Sequence, residues 1–236
     1  MHEIVVGGTG NLLQAAQRTG ARVLFVSSST AVGGTSAPLI HNEESPFHLT
    51  SALHYGYALA KREAENLCKN AGIDVIRVNP AEVYGPGDTE RITAGNLIDF
   101  ATSYPVLVTS GGTSVAHVQD VAEGIVAAYE RGRPGERYIL GGENLTIREL
   151  AALTLEVLGK SKPILVLPRW TLLGLAWLGR NLGIPLPFEP GVAPYAVRYW
   201  FMDNSKARKE LGITFRSARE TLQSTLDWLR QVDMLK

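Results

Sequence analysis

Tyr57 and Lys61 stand four residues apart in the run HYGYALAK. On a helix, that spacing puts both side chains on one face. A free tyrosine holds its proton to about pH 10, too tightly for easy proton transfer at neutral pH. An ammonium held beside a phenol favours the phenolate. A phenol tuned in this way can give a proton to, or take one from, a carbonyl or alcohol oxygen. The ammonium also carries three N–H donors and can hold a ribose. The spacing is common by chance on solvated helix faces, so that plainer reading stands beside the catalytic one. Tyr55 lacks the same partner, because position 59 is leucine.

Two further segments could serve the same chemistry. The apolar run RVLFVS at 22–27 leads into Ser27, Ser28, Ser29 and Thr30. A hydroxyl at a strand's carboxyl end can hydrogen-bond the oxygen that a tyrosine protonates, although a polar turn explains the serines equally well. The run DVIRV at 74–78 leads into NPAEVYGPGD, which starts at Asn79. Its prolines and glycines shape a turn, and Glu82 and Tyr84 could line a pocket. His2, His41, His48 and His54 show no metal-ligand spacing, and Cys68 has no cysteine partner. His117 reads as a structural histidine, and Arg216 as a solvated cation.

The elements that must position these groups alternate. Residues 11–18 have helical composition and end near Gly20. Residues 22–27 read as a strand buried on both faces. A polar loop covers 28–51, and a long helical pattern runs over 52–70, closed by Gly72. Residues 74–78 read as a second buried strand. Helix and strand in alternation predict parallel α/β architecture, with function beyond the carboxyl ends of the strands. Further on, helices are expected at 92–103 and 118–131, the latter capped by Asp120 or a neighbour. Strands are expected at 105–109 and 137–140. Thr146 and Glu149 have capping-box spacing for a helix to about Leu158. Helical stretches at 204–211 and 218–232 follow. The apolar stretch 163–188 is too interrupted to span a bilayer. It reads as a buried or lobe-packing helix, with a membrane-surface helix as the lesser alternative. Trp170, Trp177 and Trp200 are expected in the lobe core or pocket wall.

Composition sets the outer bounds. The chain has 236 residues, 45% of them hydrophobic, and 23 basic residues balance 23 acidic ones. That supports a filled globular core. The zero balance gives no reason to expect nucleic acid or an anionic membrane as partner. One cysteine excludes an intrachain disulfide and points to a reducing, cytoplasmic setting. The first residues, MHEIVVGG, have no basic region and no long apolar run, unlike a signal peptide.

The ordered set of segments resembles the extended short-chain dehydrogenase/reductases, also called the NAD-dependent epimerase/dehydratase family. The resemblance is carried by GT with NLLQAA, by FVSSSTAV, YGYALAKREAE and RVNPAEVYGPGD, and by VAHVQDVAEGIVAAYERGRPGERYILGGENLTIREL. DNSKARKELGI and a final helix containing tryptophan extend it over nearly the whole chain. In style it is similar to dihydroflavonol reductases, 3β-hydroxysteroid dehydrogenases and related sugar epimerases. The resemblance implies an α/β fold with a Rossmann-like parallel sheet and a smaller, mostly helical C-terminal lobe. Residues 1–88 and about 105–142 would form the core, and about 89–104 and 143–236 the substrate-binding lobe. It implies NAD or NADP as cofactor and a sugar-, steroid- or flavonoid-like substrate oxidised, reduced or epimerised at a hydroxyl/ketone carbon. By position, Ser29, Tyr57 and Lys61 would be catalytic. Ser27, Ser28, Tyr57, Lys61, Asn79, Pro80, Ala81 and Val83 would meet the cofactor. A homodimer through paired long helices is also implied.

Gly7, Gly8 and Gly10 look like a phosphate-binding loop. However, Leu13 occupies the place of a third glycine, and the next strand runs into serines rather than an acidic residue. The segment IVVGGTGNLL is more similar to the family's helix ahead of the serine strand. On that reading the family's opening β-α-β units, with the dinucleotide fingerprint, are expected to be absent, and Val5 replaces an asparagine of the proton relay. Both departures favour an alternative function, a non-catalytic binding scaffold. The intact Ser29, Tyr57 and Lys61 favour the enzyme.

Overall fold

The computed structural model describes residues 2–50, 52–186 and 188–235. Ser51, the end of the expected 28–51 loop, and Pro187, in the apolar stretch, lie outside the described residues. A wide helical turn over Glu3–Gly7 runs into α1 (Gly8–Thr19), which ends at Gly20 in the left-handed conformation (φ 68°). Gly7, Gly8 and Gly10 are therefore helical, and a Cβ on any of them would meet nothing within 4 Å. They form no cradle for a phosphate, which supports the helix reading of this segment over the loop reading.

Three parallel strands form the first sheet in the order β1 (Val23–Val26), β3 (Val75–Pro80) and β7 (Arg137–Leu140). β2 (Ile40–His41) belongs to a second sheet. Alternation along β3 divides the faces. Val75 packs with Leu13, Ala16 and Cys68 on the side of α1 and α2 (Ala52–Lys69). Ile76 and Val78 pack with Val121, Ala127 and Leu211 on the other side. Helices on both faces explain the continuous burial of Val75 to Asn79.

β1 is packed on both faces as expected, Val23 and Phe25 with the α1 and α2 side and Leu24 with the α4 side, but its edge is open. Among the described residues it pairs with β3 alone, and Val26 at its end is 42% exposed. An edge strand with one neighbour keeps one flank in solvent.

The second sheet has the order β2, β10 (Tyr199–Met202), β6 (Gly112–His117) and β4 (Glu82–Tyr84), with β8 (Glu143–Thr146) antiparallel to β6. Gly142, just before β8, allows close approach: a Cβ there would lie 1.8 Å from the Val115 carbonyl oxygen. The strand expected at 105–109 forms as β5 (Val106–Thr109), and it pairs with β9 (Ile164–Leu167) rather than with the three-stranded sheet. Under these strands, α3 (Ala94–Thr102), α5 (Ile147–Val157) and α9 (Ala218–Gln231) enclose a large apolar cluster.

α4 (Val118–Arg131) covers the expected residues. Its cap is the neighbour, His117, whose Nδ1 accepts from the Gln119 N–H at 3.1 Å. Nε2 of the same ring lies 3.0 Å from Ser224 Oγ, so His117 is a satisfied structural histidine. Asp120 is instead buried and paired with Arg216, so Arg216 is not a free cation. The capping box at Thr146 and Glu149 forms.

α6 (Arg169–Leu182) departs from expectation. Only Leu172 and Ala176 are buried, against the short α7 (Ala193–Ala196) and Val197. Trp170 and Trp177 are 76% and 60% exposed, so neither is core. Trp200 is half-buried, stacked on Tyr195. The remaining helix, α8 (Ser205–Leu211), packs against α4 and β7.

Candidate functional site

The carboxyl end of β1, the short turn Ser29–Ala31 and the first turns of α2 meet at one place. The helical backbone of α2 is interrupted at Tyr55 (φ −131°, ψ 33°), two residues before Tyr57. Tyr55 and Tyr57 part company there. Tyr55 is buried and its hydroxyl accepts a 2.6 Å hydrogen bond from Arg198 Nε, while Tyr57 is 37% exposed. Tyr55 is thus a clamp between α2 and the approach to β10, as its missing lysine implies.

Lys61 reaches back across the gap to β1. Its Nζ donates to the Val26 carbonyl at 3.1 Å and lies 5.9 Å from the Tyr57 ring centroid and 5.4 Å from that of Phe25. The ammonium is therefore held against the protein beside the tyrosine. Burial lowers the Lys61 pKa, and the Glu65 carboxylate opposes that shift. One carbonyl bond engages one of three N–H donors, leaving capacity for a ligand.

The serines divide the work. Ser28 Oγ accepts from the backbone N–H and the hydroxyl of Thr30 and so caps the turn. Ser29 is buried at the start of that turn, against α2. Ser27 Oγ is buried with no hydrogen-bond partner among the described residues. Asn79 is fully buried on the α2 side of β3. Its amide donates to the Ser28 carbonyl at 2.7 Å and to Glu65 Oε1 at 2.6 Å, while Oδ1 has no partner among the described residues. Pro80 ends β3 and Ala81 follows it, with the Ala81 N–H donating to the Leu140 carbonyl. Val83 lies in β4 and packs towards the α4 side of the molecule. The structure thus gathers Ser27, Ser28, Ser29, Tyr57, Lys61 and Asn79 around the end of β1. Val83 lies further away in the chain's second sheet.

Sequence reasoning missed the support beneath this site. Glu65 is fully buried, one turn beyond Lys61, and pairs with Arg137 as well as Asn79. Arg77, beside Arg137 in the sheet register, shares the compartment. The signal was present: Tyr57, Lys61 and Glu65 form one stripe at i+4 spacing, and the runs VIRV and RYIL each carry an arginine. Tyr195 was missed too. Its hydroxyl accepts from the Ala58 N–H at 3.4 Å, and its ring meets Tyr55 edge-on.

Two clefts, of about 470 Å³ and about 310 Å³, lie elsewhere and include none of Ser29, Tyr57 and Lys61 among their lining residues. At the candidate site Ser27, Ser29 and Asn79 are buried, while Tyr57 is partly exposed. No helix among the described residues is long and apolar enough to cross a membrane.

The family model of the NAD-dependent epimerase/dehydratase family matches residues 1–141. The chain belongs to that family. Over 97% of its length it is 30% identical to a putative dihydroflavonol 4-reductase of Synechocystis, spanning 70% of that protein. It is 32% identical, over 98% of its length, to a ketoreductase of Stigmatella aurantiaca named for a farnesylated dihydroquinoline oxide, of which it spans 71%. The crystal structure of gox2253 superposes on the whole chain with a TM-score of 0.83 at 31% identity, and 74% of that chain is covered. The fold is therefore Rossmann-like α/β, and the relatives are named as enzymes, so the scaffold alternative is not favoured. Nicotinamide dinucleotide is the cofactor the family is named for. The unpartnered Ser27 hydroxyl and the free donors of Lys61 beside an exposed Tyr57 fit its nicotinamide–ribose end.

Proposed function

We propose that this chain is a NAD(P)-dependent oxidoreductase or epimerase acting on a hydroxyl/ketone carbon, with Tyr57, Lys61 and Ser29 as its catalytic residues. The observation that supports this best is the Lys61 ammonium held between the β1 end and the Tyr57 ring. When bound, the nicotinamide supplies or accepts the hydride. The protein's share is orientation and the proton. Ser29 Oγ hydrogen-bonds the reacting oxygen. The Tyr57 hydroxyl delivers a proton to that oxygen in reduction, and its phenolate removes that proton in oxidation. Lys61 stabilises the phenolate that results and holds the ribose through its remaining N–H donors. Ser27, Ser28 and the backbone of Asn79, Pro80, Ala81 and Val83 lie along the nicotinamide end. Asn79 acts through the Ser28 carbonyl rather than by touching the ligand, since its amide faces Glu65.

In this reading residues 1–88 and about 105–142 form the cofactor side, and about 89–104 and 143–236 the substrate side. The substrate is read as a less polar ring ketone. The apolar stretch over 163–188, the aromatic wall of Tyr55, Tyr195 and Trp200, and the flavonol and quinoline names of the relatives support it. Exposed Leu12 and Leu67, on α1 and α2, suit pairing of two copies through those helices. Buried, partnerless Cys68 suits a reducing cytoplasm.

The test is turnover of NADH or NADPH with flavonoid, steroid and nucleotide-sugar ketones. Tyr57→Phe should lower kcat by about 10²–10⁴-fold with cofactor affinity kept. Full turnover by Tyr57→Phe would remove the phenol from the mechanism.

A further inference from the structure

The whole-chain charge of zero hides a local imbalance. Between Glu156 and Glu189 there are four basic residues, Lys160, Lys162, Arg169 and Arg180, and no acidic one. Lys160 and Lys162 are engaged, donating to the Ala101 carbonyl, with Lys162 also on that of Ser103. Arg169 and Arg180, at the two ends of α6, are exposed and have no ion pair among the described residues.

Between those arginines, α6 turns apolar surface in both directions. Leu172 and Ala176 face the protein. Trp170 and Trp177 lie seven residues apart, two helical turns, and so share one face, on which both are exposed. Leu182 follows in the last turn, 62% exposed. An indole with an apolar body and one N–H donor suits the boundary between hydrocarbon and water. A helix with such a face and free cations beside it lies in the plane of a bilayer surface.

We infer that α6 is a peripheral attachment site for an anionic lipid bilayer, with Trp170 and Trp177 inserted at the interface and Arg169 and Arg180 on lipid phosphates. The bilayer is favoured over a protein partner by chemistry. Two exposed indoles stand on one face, and the charges of α6, Arg169 and Arg180, are both positive and have no ion pair among the described residues. The inference stands independently of the acid–base reading. It does connect to it in space: α6 packs on α7, and Tyr195 of α7 accepts from Ala58, one residue beyond Tyr57.

The test uses the whole chain with extruded vesicles, one set of phosphatidylcholine alone and one with phosphatidylglycerol added. Sedimentation and tryptophan emission are the readouts, and light scattering gives the mass of the lipid-free protein. Partition into the anionic vesicles should exceed that into the neutral ones at least tenfold, shift tryptophan emission to the blue, and weaken with salt. Trp170→Ser with Trp177→Ser should reduce partition at least tenfold while thermal unfolding stays unchanged, because both side chains are exposed. Arg169→Glu with Arg180→Glu should abolish the preference for anionic lipid. The inference is overturned if the wild-type chain stays in the supernatant, or if the tryptophan variant sediments equally well. It is overturned also if those tryptophans instead prove to hold a dimer that ignores vesicles.

Discussion

Replacing Glu65 by glutamine removes one charge from a place that water does not reach. The carboxylate is 0% exposed and its partner Arg137 is 8% exposed. Asn79 donates to Oε1 at 2.6 Å, and a glutamine can keep an acceptor there. It cannot keep the counter-charge, so the Arg137 guanidinium stays buried and uncompensated beside Arg77. Removing one member of a buried ion pair costs about 3–5 kcal/mol. With a urea dependence of roughly 3 kcal/mol per molar, suited to a chain of this size, the unfolding midpoint should fall by about 1–1.7 M. Glu63→Gln is the control. Glu63 is 53% exposed and faces His2, so its loss should fall within about 0.5 kcal/mol. Urea unfolding followed by tryptophan fluorescence reads both variants. Glu65→Gln and Arg137→Gln together should cost less than the sum of the singles by about 1–3 kcal/mol. A loss for Glu65→Gln no larger than that of the control would refute the view that this pair underpins the site.

Burial pushes the Cys68 thiol up to about 12 and leaves it 3% exposed, so thiol reagents near neutral pH should label it only after denaturation. Its unfolded form loses the proton first, from about pH 8.5, so stability falls as pH rises from there towards 12. For His117, burial and then Arg216 lower the pKa below the ordinary histidine value. The unfolded chain therefore takes up that proton first, and stability is lost as pH falls through about 6.5. Protonation also takes away the Nδ1 acceptor that caps α4. His117→Asn, which keeps a capping oxygen, should flatten that part of a plot of thermal midpoint against pH. An unchanged slope would show that another group governs it.

Long periodic segments are legible in the sequence alone. α4 and β7 fall where their patterns place them, and the Thr146 capping box opens α5 as its spacing requires. β4, β6 and β8 were not legible. β6 reads GTSVAH, with glycine, serine and histidine where a strand signal needs branched apolar residues. It is buried throughout because neighbours flank it on both sides, and no local pattern encodes that. The tryptophans of α6 failed for the same reason, since a periodic helix does not state which face finds a partner. At the site, Tyr57 and Lys61 were visible from spacing and the hydroxyls from their place after a strand. Glu65 and Arg137, 72 residues apart in the chain, become partners only once β3 and β7 are side by side.

The proposed chemistry needs the Lys61 ammonium to meet a nicotinamide ribose beside Tyr57. Titration of the chain with NADH and NADPH, followed by nicotinamide fluorescence, examines that directly. Saturable binding to the wild type, kept in Tyr57→Phe and weakened at least tenfold in Lys61→Ala, is the expected result. No binding at millimolar cofactor, or binding that Lys61→Ala leaves untouched, would contradict it.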